Sequence, residues 1–135
     1  MAKREYRWVR VKALTAEDKA MVGAACERSI AEVLKPRYLP EIRPTEFNYP
    51  VDISGKWRGS RYSFITRYRS GWPETAGEEF DAPFARLDHD EEGVDQLRFH
   101  VMWFRHTGKW WCLHASLPFP EALRMIETEE ILAPT

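Results

Sequence analysis

The feature that most constrains the fold is an alternation over residues 61–69, which read RYSFITRYR. The aromatic side chains stand at even positions and the arginines at odd positions. Successive residues of a β-strand point to opposite faces of a sheet. The segment is therefore predicted to be a strand with one aromatic face toward a core and one basic face toward solvent. The first face carries Tyr62, Phe64 and Tyr68, and the second carries Arg61, Arg67 and Arg69.

Four other segments are predicted to be strands. Residues 51–58 contain Gly55, which indicates a bulge or kink. Residues 80–89 contain Pro83, which predicts either an edge strand or a bulged strand, because proline has no N–H to donate to the hydrogen-bond ladder of a sheet. Residues 97–104 alternate in polarity. After a turn at Thr107-Gly108, residues 109–116 form the next antiparallel strand.

Two amphipathic helices flank these strands. Thr15 is a favourable N-cap for a helix over residues 16–34, and Pro36 is predicted to end it because proline lacks an N–H and collides with the preceding turn. A second helix is predicted after Pro118, where apolar residues recur at helical spacing from Phe119 to Ile126.

The remaining segments are irregular in pattern. Residues 1–14 predict a basic arm or a short strand, with the strand over residues 6–12. Four prolines in residues 35–50 predict an extended connection that wraps the domain.

The order of helix, about five antiparallel strands and helix predicts an α+β fold over a single domain, residues 1–135. Two helices cover only one face of such a sheet. The other face is then partly open, covered by the proline-rich segment, or covered by a second copy of the chain in a homodimer.

Charge divides the chain into two halves. Residues 1–69 hold 15 Lys and Arg against 8 Asp and Glu, whereas residues 70–135 hold 5 against 13. An acidic block runs from Glu74 to Asp95. Two interpretations remain open: the halves neutralise each other within one domain or across a dimer, or a basic face is kept for an anionic partner.

The chain shows neither a secretory signal pattern nor an apolar run long enough for a membrane helix. Its two cysteines, Cys26 and Cys112, form no CxxC or metal-binding spacing. These features predict a soluble cytoplasmic protein with two unpaired thiols, no membrane association and no cofactor.

Three segments resemble a known family. They read FDAPFARLDH, FHVMWFRHTGKWWCLH and PEALRMIETEEIL, and together they resemble the bacterial family catalogued as domain of unknown function 3024. The resemblance covers residues 50–132 approximately. It implies a stand-alone bacterial cytoplasmic protein, and it carries over no activity.

The basic face of the sheet is the main functional hypothesis. Arginine between aromatic rings is a common means of holding single-stranded nucleic acid, because guanidinium groups bind phosphates and rings stack on bases. A protein partner or self-association fits the same face. The predicted binding residues are Arg61, Arg67, Arg69, Arg98, His100, Phe104 and Trp111.

The histidines depend on the register of the last hairpin. A three-residue loop, residues 106–108, would place His100 opposite His114, as an acid–base or metal site requires. A two- or four-residue loop would place them on opposite faces.

The alternative hypothesis is a small enzyme that acts on an anionic substrate. Its candidate catalytic residues are Asp81, Asp88 and His89, with Arg67 or Arg69 as an anion clamp. Residues 88–93 match the start of a calcium loop, but Phe99 stands where a bidentate glutamate is required, so no metal site is predicted.

Overall fold

The computed structural model describes residues 10–134 of the chain. It contains one antiparallel sheet whose strands lie side by side in chain order, so the predicted α+β class with five strands and terminal helices is confirmed. The strands are β1 (Asn48–Arg58), β2 (Arg61–Ser70), β3 (Glu79–His89), β4 (Arg98–Phe104) and β5 (Trp110–Pro118).

The N-terminal helical segment is longer than the sequence pattern predicts. It consists of α1 (Ala16–Ser29), a π-helical turn (Ile30–Leu34) and α2 (Lys35–Tyr38). Thr15 caps it as predicted, because its hydroxyl accepts from the Asp18 N–H and the Asp18 carboxylate accepts from the Thr15 N–H.

The prediction that Pro36 ends this helix is wrong. In the π turn the Lys35 N–H donates to the carbonyl of Ile30, which inserts one extra residue immediately before the proline. The wider turn relieves the collision between the proline ring and the preceding carbonyl, and Pro36 lies in the first turn of α2, where its missing N–H is tolerated.

The proline-rich connection is correspondingly shorter than predicted. Residues 35–38 are helical, and β1 already begins at Asn48, so the irregular connection spans residues 39–47. β1 includes Pro50, which is tolerated because β1 is an edge strand. Of the predicted strand over residues 6–12, residues 6–9 lie outside the described part, and residues 10–12 form no strand.

The C-terminal helix α3 (Phe119–Thr128) follows β5 directly, and short 3-10 turns occupy Pro73–Thr75 and Glu130–Leu132. No helix among residues 10–134 is long and apolar enough to cross a membrane.

Two predicted irregularities in the sheet have different outcomes. The ladder between β1 and β2 is regular through Gly55, so the bulge predicted there is absent; the shift lies between Pro50 and Asp52. β3 is an interior strand, which excludes the edge position that Pro83 suggested. The alternative prediction of a bulged strand is confirmed, because Phe84 is the extra residue opposite β2.

The core lies between one face of the sheet and the helices. Tyr62, Phe64 and Phe99 are almost fully buried, which confirms the predicted orientation of β2. The helices contribute buried Val22, Cys26, Ile30, Leu34, Phe119, Ala122 and Ile126. Burial raises the pKa of the Cys26 thiol to about 12, so this cysteine is a core side chain and not a nucleophile.

Gly55 makes room for an aromatic ring. A Cβ atom at this position would overlap the Tyr62 side chain, which packs across the backbone of β1 and contacts Trp57 with ring centroids 5.3 Å apart. The glycine is required because the ring closes the core at this edge of the sheet.

We expect Gly55→Ala to destabilise the fold by roughly 1–3 kcal/mol, because the added methyl group forces the buried Tyr62 ring to move. Urea unfolding of the variant measures this loss. Ser54→Ala, on the exposed side of the same strand, is the matched control and should change stability by less than about 0.5 kcal/mol. Equal stability of the two variants would contradict the proposed role of Gly55.

His89 also belongs to the core side of the sheet. Its ring packs edge-on against Phe99 with centroids 5.6 Å apart, and its Nε2 is buried without a hydrogen-bond partner among the described residues. Burial lowers the pKa of His89, because it disfavours the charged imidazolium in the folded protein.

This burial predicts a pH dependence of stability. Above the unfolded pKa of about 6.5 neither state binds the proton, whereas below it the unfolded chain binds the proton more readily than the folded chain. The free energy of unfolding should therefore fall as the pH decreases from about 6.5 toward the lower folded pKa, by at most about 1.4 kcal/mol per pH unit. His89→Gln should flatten this part of the profile in urea titrations, and an unchanged profile would contradict the prediction.

Candidate anion-binding groove on the open sheet face

The face of the sheet opposite the helices carries a groove of about 820 Å³. Its floor and walls come from β1, β2, β3 and the first residue of β5, with Ile65 and Pro83 at the base. The lining residues are Lys56, Arg58, Gly59, Ser60, Arg61, Ser63, Ile65, Asp81, Pro83, Arg86 and Trp110.

The β1–β2 hairpin places three cations on one side of this groove. A two-residue turn, Gly59-Ser60, joins the strands, and the positive φ of Gly59 (61°) suits the twist of a tight hairpin. Arg58 and Arg61 are directly opposite each other in the ladder, and Lys56 lies two residues before Arg58. The pleat therefore directs these three side chains to the same face.

These cations have little internal compensation. The nearest carboxylate to Arg61 is that of Asp88, with Nε and Oδ2 3.7 Å apart. Among residues 10–134, no carboxylate lies within 4.0 Å of the Lys56 or Arg58 side chain. Because like charges directly opposite in a ladder repel, the pair Arg58–Arg61 favours a bound anion.

A rigid arginine forms the opposite wall. Arg86 donates two hydrogen bonds to Asp88, at 2.6 and 2.9 Å, and its side chain is only 11% exposed. Its guanidinium lies 4.3 Å from the Trp110 ring centroid, and Phe104 packs against the same indole at 5.0 Å. The stacked geometry orders Arg86 and Trp110 before any ligand binds.

Three of the predicted binding arginines are engaged by the acidic block. Arg67 pairs with Asp81 at 2.9 Å, Arg69 with Glu79 at 2.7 Å, and Arg98 with Asp95 at 3.1 Å. Hydrogen bonds from Arg67 hold the pKa of Asp81 below its usual value. At Arg67 and Arg69 the basic and acidic halves of the chain neutralise each other within one sheet, whereas Arg98 and Asp95 both belong to the acidic half.

Phe104 and His100 lie on the open face as predicted, but Trp111 does not. Trp111 is opposite Trp103, which packs against the core, so its 51% exposed indole lies on the helix side of the sheet. Its neighbour Trp110 occupies the open face in its place.

His100 accepts a hydrogen bond that stabilises a bulge in β5. Its Nδ1 accepts from the Ser116 N–H at 3.0 Å, while the Ser116 hydroxyl donates to Asp90 at 2.6 Å and its carbonyl accepts from Arg98 at 2.7 Å. Ser116 has a φ of 50°, an unfavourable value for a non-glycine residue. The three hydrogen bonds stabilise this conformation.

The β4–β5 hairpin has the three-residue turn that was one of the predicted alternatives, yet His100 and His114 do not lie opposite each other. The Arg105 N–H donates to Lys109 at 2.9 Å, which defines the turn. A register shift between Met102 and Val101 then places Val101 opposite His114. The His114 Nε2 lies 3.3 Å from Glu129, whereas His100 faces the open side.

The candidate catalytic residues are dispersed. Asp81 is paired with Arg67. Asp88 lies seven residues further along β3 than Asp81 and is paired with Arg86. His89 points to the face opposite Asp88, because the two are consecutive in one strand.

The calcium-loop pattern has a structural explanation. The carboxylates of Asp88 and Asp90 are engaged by Arg86 and by the Ser116 hydroxyl, and the Ser116 bond lowers the pKa of Asp90. Within residues 10–134, no group of three His, Cys, Asp or Glu side chains is arranged to hold a metal ion.

Four residues that line the groove were not among the predicted binding residues: Lys56, Arg58, Arg86 and Trp110. Two signals were available. Arg86 is the single basic residue within the acidic block, and a three-residue turn pairs Trp110 with Phe104 on the arginine face.

A comparison with protein-family models matches residues 11–132 to DUF3024, a domain of unknown function. The match extends the resemblance seen over residues 50–132 to include the N-terminal helix. No curated protein and no solved structure matches the chain significantly. Since the family model spans nearly all of the sequence, the chain belongs to the DUF3024 family.

Proposed function

We propose that this protein is a non-enzymatic binding module that holds single-stranded nucleic acid in the groove of the open sheet face. The observation that carries the proposal is the uneven pairing of charges on that face. Arg67, Arg69 and Arg98 are bound to carboxylates, whereas Lys56 and Arg58 project beside the groove with no carboxylate within 4.0 Å among the described residues.

The electrostatics favour a phosphate-bearing ligand. Lys56, Arg58 and Arg61 come from the two strands of one hairpin: Lys56 and Arg58 follow each other along β1, and Arg61 lies beside Arg58 across the ladder. A row of cations can contact successive phosphates of one strand. Phosphate binding also relieves the repulsion between Arg58 and Arg61.

The base of the groove favours unpaired bases. Ile65, Pro83 and Trp110 offer an apolar and aromatic surface, on which a base of a single strand can lie. In a double helix the bases are paired and stacked, so a duplex would contact only the rim of the groove. The volume of about 820 Å³ is within the range of cavities that hold small ligands, so one or two nucleotides fit.

An enzyme is the less favoured alternative because of the geometry of its candidate residues. Asp81 and Asp88 already form ion pairs, and His89 points into the core side. At none of these three positions do an acid, a base and space for a substrate lie together.

We expect Lys56→Gln with Arg58→Gln to lower the affinity for a fluorescein-labelled single-stranded oligothymidylate by roughly tenfold or more, because two phosphate contacts are removed. Fluorescence anisotropy at several salt concentrations measures the effect. The slope of log affinity against log salt should become shallower by about 1.4, because each phosphate contact on a single strand contributes about 0.7.

The matched control is Arg28→Gln with Arg124→Gln, which removes the same charge from exposed positions on the helix side. This variant should bind like the wild type. Equal losses in the two double variants would indicate a nonspecific charge effect and contradict the proposed site. Failure of the wild type to bind any single-stranded DNA or RNA at low salt would refute the proposed function.

A further inference from the structure

A second cavity lies where the β4–β5 hairpin turns. β3 extends past the end of β4, because its ladder with β4 begins only at Ala85, opposite Trp103. The residues before Ala85, the hairpin turn and the 3-10 turn Glu130–Leu132 enclose a cleft of about 540 Å³. The cleft shares Pro83 with the groove of the open face but has none of that groove's cations.

Arg105, which lines this cleft together with His106 and Glu130, contacts two tryptophans. Its guanidinium carbon lies 5.4 Å from the Trp103 ring centroid and 5.0 Å from that of Trp111. These rings come from opposite positions of the ladder, so the arginine, one residue beyond β4, stacks on a cross-strand pair. The stacking limits the rotamers of Arg105 and holds its charge in place.

The Arg105 guanidinium lacks a polar partner. Its Nε is buried and forms no hydrogen bond within the described part of the chain. No carboxylate of residues 10–134 lies within 4.0 Å of it either. A buried charged donor without an acceptor is unfavourable, so the site gains stability when an external anion supplies the acceptor.

The other walls are chiefly apolar. Phe84 is buried at the β3 bulge, Ile131 of the 3-10 turn is 43% exposed, and Ala82 and Ala133 also line the cleft. Glu130 also lines the cleft, and its negative charge opposes ligands with many phosphates. The chemistry favours one anionic group on an apolar body.

We propose that this cleft binds a small monocarboxylate with an aromatic or branched aliphatic body. The carboxylate accepts hydrogen bonds from the Arg105 guanidinium, whose planar fork matches the two oxygens. The apolar body lies between Phe84 and Ile131. The site is separate from the proposed nucleic-acid groove, because neither Lys56 nor Arg58 lines it.

Isothermal titration calorimetry with 4-phenylbutyrate tests the proposal, with 4-phenylbutyramide as the uncharged matched probe. We expect the carboxylate to bind and the amide to bind at least roughly tenfold more weakly, because the amide cannot form charge-assisted hydrogen bonds through two oxygens. Equal affinity for the two probes, or no binding of the carboxylate, would overturn the proposal.

Two variants locate the binding. Arg105→Gln should reduce the affinity for 4-phenylbutyrate by roughly tenfold or more, whereas Arg124→Gln, an exposed change on α3, should leave it unchanged. Because Arg105→Gln removes two stacking contacts and can disturb the hairpin, Ile131→Glu serves as a second variant. It leaves Arg105 in place and should also reduce the affinity, since it adds a negative charge to an exposed position of the wall. Retained affinity in either variant would refute the site.

The double variant Lys56→Gln with Arg58→Gln separates this proposal from the proposed function. It should bind 4-phenylbutyrate with wild-type affinity, because both residues lie outside the cleft. A parallel loss of phenylbutyrate binding would show that the carboxylate occupies the open-face groove and would overturn the assignment to Arg105.

Discussion

Burial of the Tyr62 and Phe64 side chains beneath the helices is the constraint on which the rest of the structure depends. Both rings are essentially inaccessible to solvent and pack edge-to-face with centroids 5.3 Å apart. Because side chains of a strand alternate, this burial forces Arg61, Arg67 and Arg69 onto the open face. Shifting β2 by one residue would bury the arginines and expose the rings, so the register is strongly determined.

The open face must then accommodate a row of guanidinium groups, and it does so differently at its two ends. Toward the β2–β3 connection, β3 presents Asp81 and Glu79 opposite Arg67 and Arg69, which forms cross-strand ion pairs. Toward the β1–β2 turn, Arg58 instead faces Arg61. The cations without a carboxylate within 4.0 Å, Lys56 and Arg58, therefore lie at this end of the face among the described residues.

The sequence allowed correct prediction of the elements whose signals are local. The alternation of β2, the Thr15 cap and the core stripe of α1 depend only on nearby residues, and the structure contains all three. Errors arose where a shift of one residue intervenes. The π turn carries the helix past Pro36, and the irregularities of the β4–β5 ladder separate His100 from His114. Unlike the β3 bulge, which Pro83 marks, these two insertions have no distinct sequence signature.

By itself, the sequence determined the α+β class, the inward aromatic face and the surplus of arginine on the opposite face, because each follows from a period of two or of 3.6 residues. Only the tertiary structure decided which cations have carboxylate partners, that Trp110 and not Trp111 reaches the groove, and that Arg105 lies over the cross-strand pair Trp103 and Trp111. These outcomes depend on the pairing of strands and on bulges in the ladder. Both bring together residues distant in the chain, and periodicity within one segment does not report such pairings.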